Sequence, residues 1–597
     1  VSGAKFENNN SCYSGGAFVA SGSNVTFTDC SFENNTSGTN GGAAHVTYNS
    51  SDNRTNATVT FNNCELSKNA SAEGGAIYAE VNQTVYINNS TLSNNFSDGP
   101  GGAISMHGAS LVSISSSTFS NNTAGTFAGA IYISYRTVKT TEIVDGEEQE
   151  VATAVDSNVT ISNSNFIENE ASNSGGAICA YVSNHNARVL TLTGSTFARN
   201  SAGDEDHISN GGALYLVGAS ATLSCNTFTS NSSTQDGGAI CASNSELTLS
   251  SNSFASNSAS RYGGAVVLFN GSSASLDGDQ FNNNTALQGG ALYTSGSTVT
   301  GQNLDFDSNE ATSTTYGGGA IYSTNSTLTI STSSFANNTS AHYGGAIEGH
   351  TNTTYVLSDI TATGNSAADE GGFAFVNNSS LTINTNSTIS GNTAGSHGGA
   401  IAARNGASVT LNNSTISNNV ATANGGGLYI NASTLSGTEN SFDSNASHSA
   451  VNGGGAIYGT NATVTISSSS FIGNSADNYG GAVCAWTNSN FTLTGVTGES
   501  NSANYGGFGH SIAGSTITIN GNSVIGGDTA AKGNTSVNGG GALFVEGTGT
   551  INVSYTTFNH NSSSNAGGGA IYVKNGGTLN ARSEEHTSEL QSHLNLV

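Results

Sequence analysis

A Gly-Gly-Ala-apolar element, with some variants, recurs about 20 times along the 597 residues, and no two copies start fewer than 26 residues apart. Of the 19 intervals, 12 are 26 or 27 residues, and the longest is 47. A minimum interval with occasional excess describes one structural unit with loops inserted into it. A unit this short cannot enclose a core, so it must stack on its neighbours. Gly237-Gly238 and Gly263-Gly264 open two typical copies. Between the glycine pairs lies a second element, an aromatic or aliphatic residue followed three later by Asn. Phe254/Asn257 and Phe335/Asn338 are examples. Two apolar residues precede it by seven and five positions: Leu247 and Leu249 before Phe254, Leu328 and Ile330 before Phe335.

Apolar residues two apart are strand periodicity with one face buried. The alternation resumes after Gly-Gly-Ala, where Ile77 and Ala79, or Leu214 and Leu216, share a face. The predicted fold is therefore all-β: a right-handed parallel β-helix (solenoid) of about 20 coils, 26–27 residues each, with three short strands per coil. At a strand spacing of about 4.8 Å, such a rod would be roughly 95 Å long. Glycine pairs would supply positive φ at a tight corner. Asn would tolerate left-handed backbone or hydrogen-bond along the axis as an amide ladder, and Phe would stack on Phe.

A thin stacked core also accounts for a chain that is only 35% hydrophobic and 9% charged. The net charge of -27 argues against nucleic acid and anionic membrane surfaces as partners. No apolar run approaches the length of a membrane span. The single repeat domain is expected over residues 1–581. The stretch 582–597 departs from the repeat and reads as a non-native tail, the translation of a sequencing adapter, and both ends read as truncations. The 47-residue interval holds Asp145-Gly146 between β-rich runs, which predicts a projecting hairpin over about 134–157 with Asp145, Glu147, Glu148 and Glu150 at its tip. Smaller excursions fall at 49–56, 204–209 and 526–534.

Metal and cofactor signatures are missing: no Cys-x-x-Cys pair, no His-Glu-x-x-His, no recurring calcium-binding repeat. Cys30 and Cys64 occupy the same repeat position in consecutive coils, within disulfide range if stacked in register, and are the candidate disulfide. No catalytic residues are assigned. A β-helix enzyme on polysaccharide would need paired carboxylates on one face. Here acidic residues are scattered, and Glu348 with His350 is an isolated pair.

Gly-Gly-Ala-Ile alternating with Phe-x-x-Asn, as in Gly237–Ile240 and Phe254–Asn257, resembles the polymorphic outer-membrane protein repeats of chlamydial autotransporters. The resemblance covers about residues 1–580. It implies a secreted, surface-displayed passenger domain whose repeats take part in adhesion. The family's C-terminal membrane barrel is not in this sequence.

The functional expectation is an extracellular adhesin or passenger, binding a protein or glycan on a cell or surface through many weak contacts. A polysaccharide lyase or glycosidase and a purely structural fibre are the alternatives. Exposed end coils would also allow end-to-end self-association. The residue after Gly-Gly-Ala-apolar is Tyr at Tyr78, Tyr132, Tyr215, Tyr293, Tyr322, Tyr429, Tyr458 and Tyr572. This row is expected to point outward, as either the contact stripe or a packing ladder over the sheet.

Overall fold

The computed structural model describes residues 1–47, 56–108, 110–144, 147–155, 157–182, 188–204, 207, 209–565 and 567–582. The chain divides into two units, Val1–Asp305 and Phe306–Val597. Both are built from the same parallel coil. The coil that begins at Gly237 carries strands Ile240–Ser243, Glu246–Ser250, Ser253–Ala255 and Ser258–Ala259. Each pairs in parallel with the same strand one coil on: Ile240↔Val266, Leu247↔Ala274, Phe254↔Phe281 and Ser258↔Thr285. In unit 2 the corresponding pairs include Leu428↔Ile457, Leu435↔Val464 and Phe442↔Phe471. The coil thus has four strands rather than the three expected. The extra strand is only two residues long and directly follows the motif Asn, too short to leave an alternation that sequence periodicity could detect.

Strand alternation places the core. Leu247 and Leu249 are buried and Thr248 between them is exposed. Phenylalanines stack face to face along the axis, from Phe119 through Phe166, Phe197, Phe228 and Phe254 to Phe281, with centroids 4.7–4.9 Å apart. In unit 2 this position is Ile389 or Ile416 in some coils, and falls to Ala362 or Gly498 in two others. At the glycine pair that follows Ala362 or Gly498, the Ala of Gly-Gly-Ala becomes Phe373 or Phe508, and each of these rings contacts the preceding stack member, Phe335 or Phe471, with centroids 5.7–5.8 Å apart. At these two places the ring is kept while its point of attachment moves, as dense packing requires.

The motif asparagines form a continuous amide ladder in each unit. In unit 1 it runs from Asn35 through Asn257 to Asn284, and in unit 2 from Asn309 through Asn338 to Asn561. Each Nδ2 donates to the next Oδ1 at 2.8–3.0 Å. The left-handed backbone falls one residue earlier, at Ser256 and Asn337 for example, with φ of 56° and 54°. Of the two expected roles for Asn, the motif residue therefore takes the ladder.

A second polar ladder, two residues before the aromatic position, contains Asn226, Asn252 and the fully buried Asp279. Cys30 and Cys64 belong to this same position. The structure corrects the expected disulfide: both are free. Each thiol donates to a carbonyl two residues back in its own coil, Thr28 at 3.2 Å and Asn62 at 3.3 Å, as the Ser90 hydroxyl does to Asn88. The cysteines are substitutes for serine in a ladder.

Burial pushes the Asp279 carboxyl up to about 6 from 3.8, against hydrogen bonds from Asn252 and from the Asp277 N–H. A carboxyl raised in the folded state binds its proton more tightly there, so its contribution to stability falls as pH rises from about 3.8 and levels off above about 6. The cost at pH 7.5 is about 3 kcal/mol. Asp279→Asn supplies the amide found at Asn226 and Asn252. It is expected to raise stability by about that amount at pH 7.5, with the gain shrinking through pH 6 and gone near pH 4. Urea unfolding at both pH values measures this, and an equal gain at both would refute it.

The insertions follow expectation in part. Arg136–Val144 and Glu147–Val155 pair antiparallel from Arg136↔Val155 to Val144↔Glu147, so the hairpin forms. Asp145, Gly146 and the side chains of the acidic tip cluster lie outside the described residues, as do 48–55 and 583–597. Arg582, taken above as the first residue of the tail, ends strand Thr578–Arg582. The excursion after Gly526 contains one 3-10 turn, Ala530–Lys532.

Candidate ligand-binding face

The tyrosine row lies on the outer side of the strand that follows each glycine pair, as alternation demands. The backbone faces outward there, yet the rings are covered. Tyr78, Tyr293, Tyr322, Tyr429 and Tyr458 are buried, Tyr458 to 3% exposure, and Tyr132, Tyr215 and Tyr572 are half-buried. Desolvation raises the hydroxyl pKa of Tyr132, Tyr215, Tyr293, Tyr429 and Tyr458. Of the two readings of this row, burial favours packing over direct contact.

The cover comes from the residue just before the glycine pair of the preceding coil. Tyr262 stacks on Tyr293 with centroids 4.2 Å apart, and His397 on Tyr429 at 4.3 Å. Where the row carries another residue the same cover persists: Tyr343 on Phe375 at 4.2 Å, Tyr479 on His510 at 4.3 Å, Tyr505 on Phe544 at 5.0 Å. These covering rings are themselves half-buried. Sequence reading missed them because their position varies freely among the coils. Its one signal is that four of the 20 copies carry Tyr immediately before the glycine pair.

Charge on this face is paired. Arg261 grips buried Asp236 through two nitrogens, Nε to Oδ1 at 2.8 Å and NH2 to Oδ2 at 2.5 Å, and lies over the Tyr262 ring at 4.3 Å. In unit 2 Arg404 holds Glu370 in the same bidentate way and lies 5.2 Å from the Tyr429 ring centre. His45 meets Glu80 at 3.2 Å and His107 meets Glu73 at 3.3 Å, on either side of Tyr78.

Glu348 replaces a row tyrosine. Its carboxylate is fully buried, contacts the His350 Nε2 at 2.5 Å and accepts from the Gly317 N–H. Desolvation raises its pKa against the pull of His350. A glycosidase carboxylate must reach a bound sugar, and Glu348 touches no solvent. Among the described residues no three His, Cys, Asp or Glu side chains are grouped to hold a metal ion.

The remaining expected site residues are structural. Phe254, Phe335, Asn257 and Asn338 are fully buried in the ring stack and amide ladder. Gly237 and Gly263 have φ of 67° and 57°, while Gly238 and Gly264 pack backbone to backbone between coils.

The same motifs decide what the chain is related to. A family model described as the Chlamydia polymorphic membrane protein repeat matches residues 29–47, 227–243, 280–295, 386–404, 468–485 and 555–574. A second, described as a right handed beta helix region, matches 48–228. This is a β-helix protein of the polymorphic membrane protein repeat type. Matched segments such as 227–243 run from the aromatic-x-x-Asn element through the glycine pair, so they coincide with the ladder and corner described above. No curated protein matches the chain. Polymorphic membrane proteins are typically non-enzymatic, and the family implies an outer-membrane or surface location with an autotransporter-like passenger. Among the described residues no helix is long and apolar enough to cross a membrane, which leaves strand-built spans unaddressed.

Proposed function

We propose that this chain is an adhesin-type passenger that binds a cell or surface ligand by repetition. The observation that carries the reading is that one exposed pattern returns in coil after coil of each unit. The five-residue strand offers Thr327 and Thr329, then Ser380 and Thr382, then Thr463 and Thr465 outward at matched positions. Half-buried rings cover the row at some coils, among them Tyr262, Tyr343 and Tyr505. Each contact is weak, and a repetitive body converts many weak contacts into firm attachment.

The test is attachment of beads coated with the whole chain at a series of densities. Attachment to epithelial cells or to glycan-coated glass should rise more steeply than coating density. Beads that fail to attach to either at any density, with the chain folded by circular dichroism, would end the adhesin reading.

A further inference from the structure

Charge in unit 2 is distributed unevenly among the strands of the coil. The strand that follows the glycine pair carries Glu348, Arg404 and Glu546, and the three-residue strand carries Asp443 and Glu499. The five-residue strand differs. Nine successive copies, from Thr327–Ser331 to Thr550–Ser554, hold no charged residue at all. Alternation turns the first, third and fifth residue of each outward, to exposed or half-exposed positions. Of these 27 positions 21 are Thr or Ser, five are Asn and one is Val356. The chain has a net charge of -27, and this face carries none of it.

The array is regular in two directions. Each strand pairs residue for residue with the next, as in Thr434↔Thr463 and Ser436↔Thr465, without a shift from Thr327↔Thr354 to Thr516↔Thr550. Across the strands the repeat is that of the coil, 4.8 Å between the Phe442 and Phe471 rings. Along a strand, outward residues repeat at about 6.6 Å. Threonine is stiff at χ1, so its hydroxyl and methyl keep fixed directions. The hydroxyls of Thr327, Thr329, Thr434, Thr463 and Thr465 have no protein partner among the described residues. They bond water, and the water they hold repeats as they do.

We infer that this face of unit 2 binds ice. The inference goes beyond the adhesin reading and stands without it. A peptide or a single glycan chain can match one row of side chains. A face that repeats in two directions is matched by a solid that does the same. Water held at the coil and strand repeats already has part of the order of an ice surface, whose oxygens recur over similar distances. The threonine methyls restrict the orientation of the water between the hydroxyls. A charged side chain would gather water around itself and break the pattern, and the nine strands hold none. Each bound water contributes little, and the array engages many at once.

The test uses the whole chain. Ice grown slowly on a cold finger should take the chain up, while a globular control protein in the same solution stays in the liquid. The chain should also hold the freezing point below the melting point. Thr434→Lys combined with Thr465→Lys should cut uptake and this gap about tenfold, because two long side chains hold the rest of the face off the crystal. Thr497→Lys adds a charge at an exposed position of the three-residue strand and should leave both unchanged. Thermal melts confirm that each variant is folded. Exclusion of the chain from ice, or equal activity in T434K/T465K and T497K, overturns the inference. A chain that ice excludes but microcrystalline cellulose retains would give the face to a crystalline polysaccharide instead. Attachment of the coated beads to cells is read separately, so either failure leaves the adhesin reading to its own test.

Discussion

Asn257→Leu is expected to destabilise the coils around it by about 3–6 kcal/mol, because one amide serves three neighbours at once. Its Oδ1 accepts from both the backbone N–H and the Nδ2 of Asn231, each at 3.0 Å. Its Nδ2 donates to the Phe228 carbonyl and to Asn284 Oδ1, also at 3.0 Å. Leucine fills the space but satisfies none of these groups. The Asn231 N–H, one Asn231 Nδ2 hydrogen and the Phe228 carbonyl lose partners where water does not reach. Each such loss costs about 1–3 kcal/mol. A solenoid confines the damage, since each coil touches only its neighbours. Native-state hydrogen exchange should therefore lose protection between residues 228 and 284, while the coils holding Asn69 and Asn95 keep theirs. Unchanged exchange around Asn231 would mean that the ladder contributes specificity without stability.

The ladder also illustrates what sequence could and could not give. A strict offset between Phe and Asn, repeated through the chain, implies a position locked to the core. The stacking roles of Phe254 and Asn257 follow from that offset. The outward tyrosine row was equally visible as a pattern, but its cover was not. Tyr262, Tyr479 and Tyr505 occupy a corner position where other coils carry Gly453, Asn424 or Glu370, and a variable position leaves no periodic trace. The exchange of Phe for Ala362 and Gly498, offset by Phe373 and Phe508, escaped for a related reason. Each departure looked like decay of one motif, and only the stacked rings tie the two departures together as a single filled volume. The cysteine pair failed because adjacency fixes how far apart two side chains begin and says nothing of where they point. Both thiols turn to carbonyls of their own coils.

The two glycines of each pair differ in what they tolerate, and the second sets the largest expected effect of a single methyl group. A Cβ on Gly238 would lie 2.1 Å from the Gly264 carbonyl oxygen of the next coil and 2.5 Å from the Ser258 carbonyl oxygen at the end of its own coil, both backbone atoms. No rotamer change relieves this, so the coils must separate and break ladder hydrogen bonds on either side. Gly238→Ala is expected to lower the local opening energy by more than the about 1–3 kcal/mol of ordinary overpacking. Gly271→Ala is the control. Its φ of 80° also disfavours Ala, but nothing lies within 4 Å of the added carbon, so it should cost only about 1–2 kcal/mol. The chain's own repeats agree with this ranking. All 20 second positions are Gly, whereas the first position admits Ala128 at φ 62°. Limited proteolysis should cut G238A between the coils of Gly238 and Gly264 and leave G271A intact there. Equal resistance in the two variants would show that coil spacing yields more readily than backbone packing requires. The second glycine of each pair is thus a place where the backbones of neighbouring coils leave no room for a side chain, which ties the glycine to the coil spacing that every other ladder shares.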